Sequence, residues 1–149
     1  MAIWQFEFNM IHQSKKDIQI SECDYYDKVV SWQEQDIDGK SLEKLMLKFP
    51  AERSWSDEII QYGNKDKTNL EFYYNGDVLV EILCRIDLRN IQKEEFDEII
   101  DFIKANNALV FYNDTIYDII KKDLIKLITA SKAYNFCKNP EEFFENLVH

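Results

Sequence analysis

One group of charged residues in this chain has a spacing that suits joint chemistry. Arg85, Asp87 and Arg89 recur at every second position, and that spacing places side chains on one face of a β-strand. A carboxylate between two guanidinium groups can form a charge-assisted network, and the same trio can hold a carboxylate or phosphate ligand. The spacing indicates either an anion clamp or a structural network that pins the strand to a neighbouring element, and the structural role is favoured.

Residues suited to nucleophilic catalysis are few. His12 and His149 are the only histidines, and no nucleophile elbow is present to partner them. Cys23, Cys84 and Cys137 are odd in number and far apart, so they predict neither a disulfide framework nor a zinc site. The sequence therefore predicts no catalytic residue, no metal ligand and no cofactor.

The opening spacing of a calcium loop occurs once, in Glu34, Asp36, Asp38 and Gly39. A calcium loop needs a bidentate glutamate at its twelfth position. Counted from Glu34, that position is Leu45, so the coordination would be incomplete and calcium binding is not expected.

The same carboxylates belong to an acidic, aromatic segment. Six acids and one base lie between Glu22 and Asp38. Aromatic side chains that lack a core period and alternate with carboxylates are typical of a surface that binds a basic protein, because tyrosine and tryptophan form hot spots and acids steer encounter. The predicted partner-binding residues are Tyr25, Tyr26, Trp32, Glu34, Asp36 and Asp38. The alternative is a long loop whose aromatic side chains fold back on the sheet.

The overall charge favours the same class of partner. Acidic residues number 28 and basic residues 18, which gives a net charge of -10 and a pI near 4.7. Such a field repels nucleic acid and anionic lipid but attracts a basic protein, so neither nucleic acid nor a membrane is an expected partner. The alternative is that the charge only keeps the protein soluble.

The N-terminus has the pattern of a strand, without that of a signal peptide, and no long apolar run is present, which predicts a cytoplasmic location.

Hydrophobic periodicity predicts one α+β domain over 1–149, with a single, mostly antiparallel sheet and helices packed on one face. The alternation is longest over 78–89, where Ile82 and Ile86 are placed on the buried side. The predicted elements are a strand over 4–10, an irregular acidic segment over 13–40, a helix over 41–49, strands over 55–62, 70–74 and 78–89, a helix over 92–105, a strand over 108–112, a helix over 115–128 and a last helix from Asn139.

Asn75-Gly76 predicts a hairpin between two of these strands, and its length sets the register. A two-residue loop would place Phe72 on the face of Leu79, away from Val78. A three-residue loop with Gly76 in the left-handed conformation pairs Phe72 with Val78, unites the apolar faces and is preferred.

Capping residues mark the starts of two helices. Ser41 is the predicted N-cap of the first helix, and Thr115 with Asp118 three residues later has the spacing of a capping box. The strand over 108–112 is short and continuously apolar, which predicts cover on both sides. Because helices flank it in sequence, it can lie parallel to a neighbour.

Several short motifs together resemble a group of small, uncharacterised bacterial proteins of the immunity type, which are encoded near secreted polymorphic toxins. The resemblance covers nearly the whole chain and is weakest over 13–40. Its motifs are Trp55-Ser56 ahead of Tyr62-Gly63, Arg85-Ile86-Asp87-Leu88-Arg89, and Ser131-Lys132-Ala133 followed by Phe136 and Asn139-Pro140. It implies a toxin inhibitor with variable acidic loops on a fixed scaffold, and it carries over no catalytic residue.

The sequence and the resemblance therefore predict a non-enzymatic, cytoplasmic protein that neutralises a bacterial toxin, a basic protein domain, by direct binding. The alternative function is a small enzyme or ligand-binding domain that uses Arg85, Asp87 and Arg89 as an anion clamp. The sequence does not specify an oligomeric state.

Overall fold

Alternating apolar and polar residues produce a seven-stranded antiparallel sheet in the part of the chain that the structure describes. The structure is a computed structural model, and it describes residues 2–18, 24–118 and 121–138. The strands are β1 Gln5–His12, β2 Ala51–Glu52, β3 Ile59–Tyr62, β4 Asn69–Asn75, β5 Val78–Asp87, β6 Ala108–Tyr112 and β7 Thr115–Tyr117. Their spatial order is β2-β3-β4-β5-β1-β6-β7.

Five α-helices accompany this sheet within the same described ranges. They are α1 Tyr25–Val30, α2 Gly39–Lys48, α3 Lys93–Ala105, α4 Lys121–Thr129 and α5 Lys132–Lys138, and a short 3-10 helix lies at Gln13–Lys15. The predicted α+β class with a single antiparallel sheet is confirmed. The strand expected at 108–112 is β6, which runs antiparallel to β1.

The larger hydrophobic core lies between one face of the sheet and the helices α2 to α5, and we call this the helix-covered face. Phe72, Ile82 and Ile86 are each at most 1% exposed there. The helices contribute residues at helical spacing, including Leu45 of α2, Phe96, Ile99 and Ile103 of α3, and Leu124 and Ile128 of α4.

Among the described residues, the other face of the sheet has a helix only at one end. Val29 and Val30 of α1 pack there against Ile11, Leu109 and Phe111, which form a second, smaller core. Strand β6 is therefore buried from both sides, as its continuous apolar sequence predicts. The remainder of this face, marked by the side chains of Glu7, Asn69, Glu71, Arg85 and Asp87, is called the open face.

The hairpin between β4 and β5 differs from the prediction. Asn75 pairs with Val78, so the loop has two residues, and Gly76 adopts a φ of 63°. A bulge then shifts the register, and Phe72 pairs with Ile82. The predicted pairing of Phe72 with Val78 is wrong, because the extra residue in β5 unites the apolar faces in place of a longer loop.

The helix predicted from Thr115 is also wrong in its start. Asn113 and Asp114 both have positive φ, 51° and 60°, which is the conformation of a tight hairpin turn. The chain reverses there, and Thr115 begins β7, whose partner is β6. Asn113-Asp114 is the local sequence signal for this hairpin turn. The capping pattern of Thr115 and Asp118 favoured a helix start at the same place.

Two further boundaries in the first half of the chain are corrected. The irregular segment contains α1, and the N-cap of α2 is Asp38 instead of Ser41. A carboxylate oxygen of Asp38 accepts from Ser41 N at 2.9 Å, so Ser41 lies inside the helix. The helix predicted from Asn139 lies outside the described residues.

In the described ranges, none of the helices has the length and apolar character needed to span a membrane.

Replacement of Ile82 by alanine tests the helix-covered face. Ile82 is 0% exposed, so Ile82→Ala is expected to lower the free energy of unfolding by about 2–5 kcal/mol through loss of burial and a residual cavity. Ile125 of α4 is 45% exposed and serves as the control, with an expected change of about 0.5 kcal/mol or less. Urea denaturation of both variants measures the difference, and equal effects would contradict the assignment of this face to the core.

Candidate protein-binding surface

The loop between β3 and β4 closes one end of the open face. Gln5 Nε2 donates to Lys67 O at 2.8 Å, and Asn69 Nδ2 donates to the same carbonyl at 2.9 Å. The loop begins at Gly63, whose φ is 86°, and a Cβ there would lie 2.9 Å from Thr68 O. Buried amide side chains therefore hold the loop against the sheet.

An ion network crosses the middle of the open face. Arg85 Nε donates to Glu7 Oε2 at 2.8 Å, and Arg85 Nη1 donates to Glu71 Oε1. Although burial lowers the pKa of Arg85, its bonds to Glu71 and Glu7 outweigh that effect and raise this pKa. Tyr73 completes the network by donating its hydroxyl to Glu71 Oε2 at 2.5 Å, and burial followed by this bond raises the pKa of Tyr73.

Asp87 and Arg89 form a separate pair at the end of β5. Arg89 Nε and Nη2 each donate to one oxygen of the Asp87 carboxylate at 3.0 Å, and the Arg89 guanidinium lies 4.0 Å from the ring centroid of Trp4. The predicted trio with Asp87 between two arginines is therefore corrected, because Arg85 bonds to carboxylates on β1 and β4 instead. Both guanidinium groups are engaged within the chain, which favours their structural role.

Helix α1 places Tyr26 on the open face. Tyr26 donates its hydroxyl to Glu81 Oε1, and Asn9 Nδ2 donates to the same oxygen at 2.8 Å. Burial, followed by the bond to Glu81, raises the pKa of Tyr26, yet the residue remains 47% exposed. Its neighbour Tyr25 is half-buried, with its ring centroid 6.0 Å from that of Phe111.

Trp32 does not belong to a binding surface. The residue is 1% exposed, its Nε1 donates to Met10 O at 2.9 Å, and its ring meets that of His12 edge to face. The predicted interface role of Trp32 is corrected to a core role, because the indole finds both apolar contacts and a backbone acceptor inside the protein. For Trp32, the structure therefore has the alternative arrangement of the sequence analysis, in which an aromatic side chain of this segment folds back on the sheet.

The remaining predicted acids lie on the connection from Trp32 to α2. Glu34 and Asp36 are exposed, and Glu34 has a positive φ of 71°. Asp38 caps α2, and its backbone N–H donates to Asn106 Oδ1 at 2.7 Å. Of the six predicted partner-binding residues, only Tyr26 reaches the open face as an exposed side chain.

Trp55 is the surface residue that sequence periodicity missed. It is 80% exposed on the loop between β2 and β3, at the rim of a cleft of about 630 Å³ whose floor includes Gln5, Glu71 and Arg85. The loop is held by Ser54, whose Oγ donates to Ile59 O at 2.8 Å. No apolar repeat surrounds Trp55, so its only sequence signal is its place in the Trp55-Ser56 motif.

The described residues contain no group of three or more His, Cys, Asp or Glu side chains arranged to hold a metal ion. Complete burial raises the pKa of the Cys84 thiol and keeps it in the neutral form. No family model, curated protein or solved structure shows a significant similarity to this chain.

Removal of the Arg85 side chain tests the ion network. Arg85→Ala leaves Glu71, whose side chain is 6% exposed, without its cation. Breaking a buried pair in this way is expected to cost about 3–5 kcal/mol of stability. Arg53→Ala is the control, because Arg53 is exposed on the loop after β2 and its loss is expected to change stability by about 0.5 kcal/mol or less. Chemical denaturation in which Arg53→Ala costs as much stability as Arg85→Ala would contradict the assignment.

Replacement of Trp32 tests its core role. Trp32→Ala is expected to destabilise the protein by about 3–5 kcal/mol, because it removes a large buried side chain and leaves a cavity. Trp55→Ala is the matched control, since the same side chain is removed from a position that is 80% exposed. Thermal melts monitored by circular dichroism should show a much lower Tm for Trp32→Ala than for Trp55→Ala, and the reverse order would refute the prediction.

Proposed function

We propose that this chain is a non-enzymatic binding protein of the immunity type, which acts in the cytoplasm and neutralises a basic toxin domain by covering its active site. Its open face, together with the Trp55 loop, is the proposed contact surface. The observation that carries this proposal is the exposure of Trp55, whose indole is 80% exposed at the edge of the cleft. Tryptophan is the residue type most often found to dominate binding energy at protein interfaces.

The charge of the strands on the open face supports a basic partner. Carboxylates outnumber guanidinium groups there, with Glu7, Glu71, Glu81 and Asp87 against Arg85 and Arg89, whereas the cleft beside Trp55 is lined by Arg53, Lys65 and Arg85 as well as by Asp66 and Glu71. The whole chain has a net charge of -10, which attracts a basic protein over a longer range. Electrostatic attraction of this kind acts mainly on the association rate.

The hydrogen-bond geometry supports binding without large rearrangement. Tyr26, Glu81 and Asn9 are bonded to one another, and Glu7 is held by Arg85. Side chains that are already fixed lose less conformational entropy when a partner binds. The open face therefore offers a preorganised polar surface with one exposed aromatic residue, Tyr26, on α1 and another, Trp55, beside the cleft.

The experiment uses the C-terminal domain of a secreted toxin encoded directly upstream of this chain's gene. Trp55→Ala is expected to weaken binding by about 2 kcal/mol or more, which is roughly a 30-fold rise in Kd. Leu47→Ala is the matched control: Leu47 is 83% exposed on α2, which packs on the helix-covered face, and its loss should leave Kd unchanged.

Surface-based kinetics of the same pair provide a second measurement. Raising sodium chloride from about 0.05 M to about 0.5 M is expected to lower the association rate much more than it changes the dissociation rate, because salt screens long-range attraction. Absence of a complex with the encoded toxin domain would refute the proposal. Wild-type affinity of Trp55→Ala would remove the Trp55 loop from the interface.

A further inference from the structure

Within the described ranges, one edge of the central strand β1 lacks a strand neighbour along half of its length. Strand β5 pairs with residues Gln5 to Met10 on one side, whereas β6 pairs on the other side only with Asn9 to His12. The hairpin turn at Asn113 and Asp114 ends β6 and sends the chain away to form β7. In the described part of the chain, β1 is thus a central strand at one end and an edge strand at the other.

The backbone groups that face the gap follow from the register. Leu88 N donates to Trp4 O at 2.9 Å, in line with the pairing of Gln5 with Asp87. Because hydrogen-bonding direction alternates along an antiparallel strand, even-numbered residues of β1 bond to β5, and odd-numbered residues face the gap. The N–H of Gln5 already donates a hydrogen bond to Ala2 O at 3.0 Å. The N–H and C=O of Glu7 and the C=O of Gln5 therefore point outward.

A cleft of about 730 Å³ lies along this stretch of β1. Its far walls are the Asn113-Asp114 turn and the corner between α4 and α5 at Ala130–Ala133. A strand advances by about 3.3 Å per residue, so four residues of β1 offer an edge of about 13 Å. The dimensions suit a short extended segment lying beside β1 at the place that a longer β6 would occupy.

The two sides of the cleft differ in chemistry. Phe6, Phe8 and Tyr112 line it toward the helix-covered face, and Glu7, Asn9 and Tyr26 line it toward the open face. A strand in the cleft would direct alternate side chains to these two sides. The matching sequence alternates apolar residues with basic or polar ones.

We propose that an extended segment of the partner, with alternating apolar and basic side chains, adds to β1 as a strand in this cleft. The proposal rests on the proposed function for the identity of the partner, but strand addition is a separate contact from that of Trp55. Main-chain hydrogen bonds to Glu7 would supply affinity, and the two sides of the cleft would supply selectivity, as in other cases of β-strand addition.

The first measurement is amide hydrogen exchange of the free protein by NMR. Because the Glu7 N–H faces the cleft and the Phe8 N–H faces β5, Glu7 is expected to exchange at least about 100-fold faster than Phe8. Equal protection of the two amides would overturn the proposal, because the edge would then be closed.

The second measurement uses a blocked hexapeptide of alternating lysine and valine as the probe. At about 5 mM peptide, exchange at Glu7 is expected to slow about sixfold, as for a ligand with a Kd near 1 mM. The same peptide with its two central residues N-methylated cannot donate its backbone hydrogen bonds there and should leave Glu7 unchanged. An unchanged Glu7 with the first peptide, or an equal effect of both peptides, would overturn the proposal.

Two substitutions at one position provide matched variants. Glu7→Gln keeps the backbone N–H but removes a carboxylate of the cleft, so it should weaken peptide binding without abolishing it, whereas Glu7→Pro removes the N–H and should abolish binding. If Glu7→Pro fails to fold, the N-methylated peptide decides the question. Trp55→Ala should leave peptide binding unchanged. A toxin domain that binds without protecting Glu7 would refute strand addition alone, and a peptide that protects Glu7 when no toxin binds would refute the proposed function alone.

Discussion

The two ion pairs of Arg85 join three neighbouring strands, and the open face depends on them. The guanidinium of Arg85 on β5 reaches Glu7 on β1 and Glu71 on β4. A polar sheet face without helix cover stays ordered only if its buried charges and amides are paired. Among the described residues, every buried side-chain nitrogen and oxygen has a partner. The network thus allows one sheet to bury apolar side chains on one face and paired polar side chains on the other.

The division between the two faces also explains the position of α1. Val29 and Val30 of α1 pack on Ile11, Leu109 and Phe111, which are apolar residues at one end of the sheet face opposite the main core. Past that point the chain continues to Trp32, which enters the main core and bonds to Met10 O. A segment rich in acids is in this way attached at two apolar points, and its carboxylates at Glu34 and Asp36 remain exposed.

Two features are unusual for a folded surface: Trp55, and the part of the β1 edge that no described strand pairs. An exposed indole leaves a large apolar area in water, and an unpaired strand edge invites association with other chains. Here the Ser54 bond fixes the Trp55 loop, and the walls of the cleft restrict access to the β1 edge. Both features suit controlled contact with a specific partner.

The sequence by itself determined the fold class, α3, most of the strands and the apolar side of β5 beyond its bulge, because these follow from local periodicity and burial. It also identified the charges on β5. Only the tertiary structure decided which groups those charges meet: Glu7 and Arg85 are 78 positions apart, and their contact depends on the β1–β5 register. The core position of Trp32 and the part of the β1 edge that no described strand pairs likewise depend on contacts between distant parts of the chain. Periodicity within a single segment carries no information about such contacts.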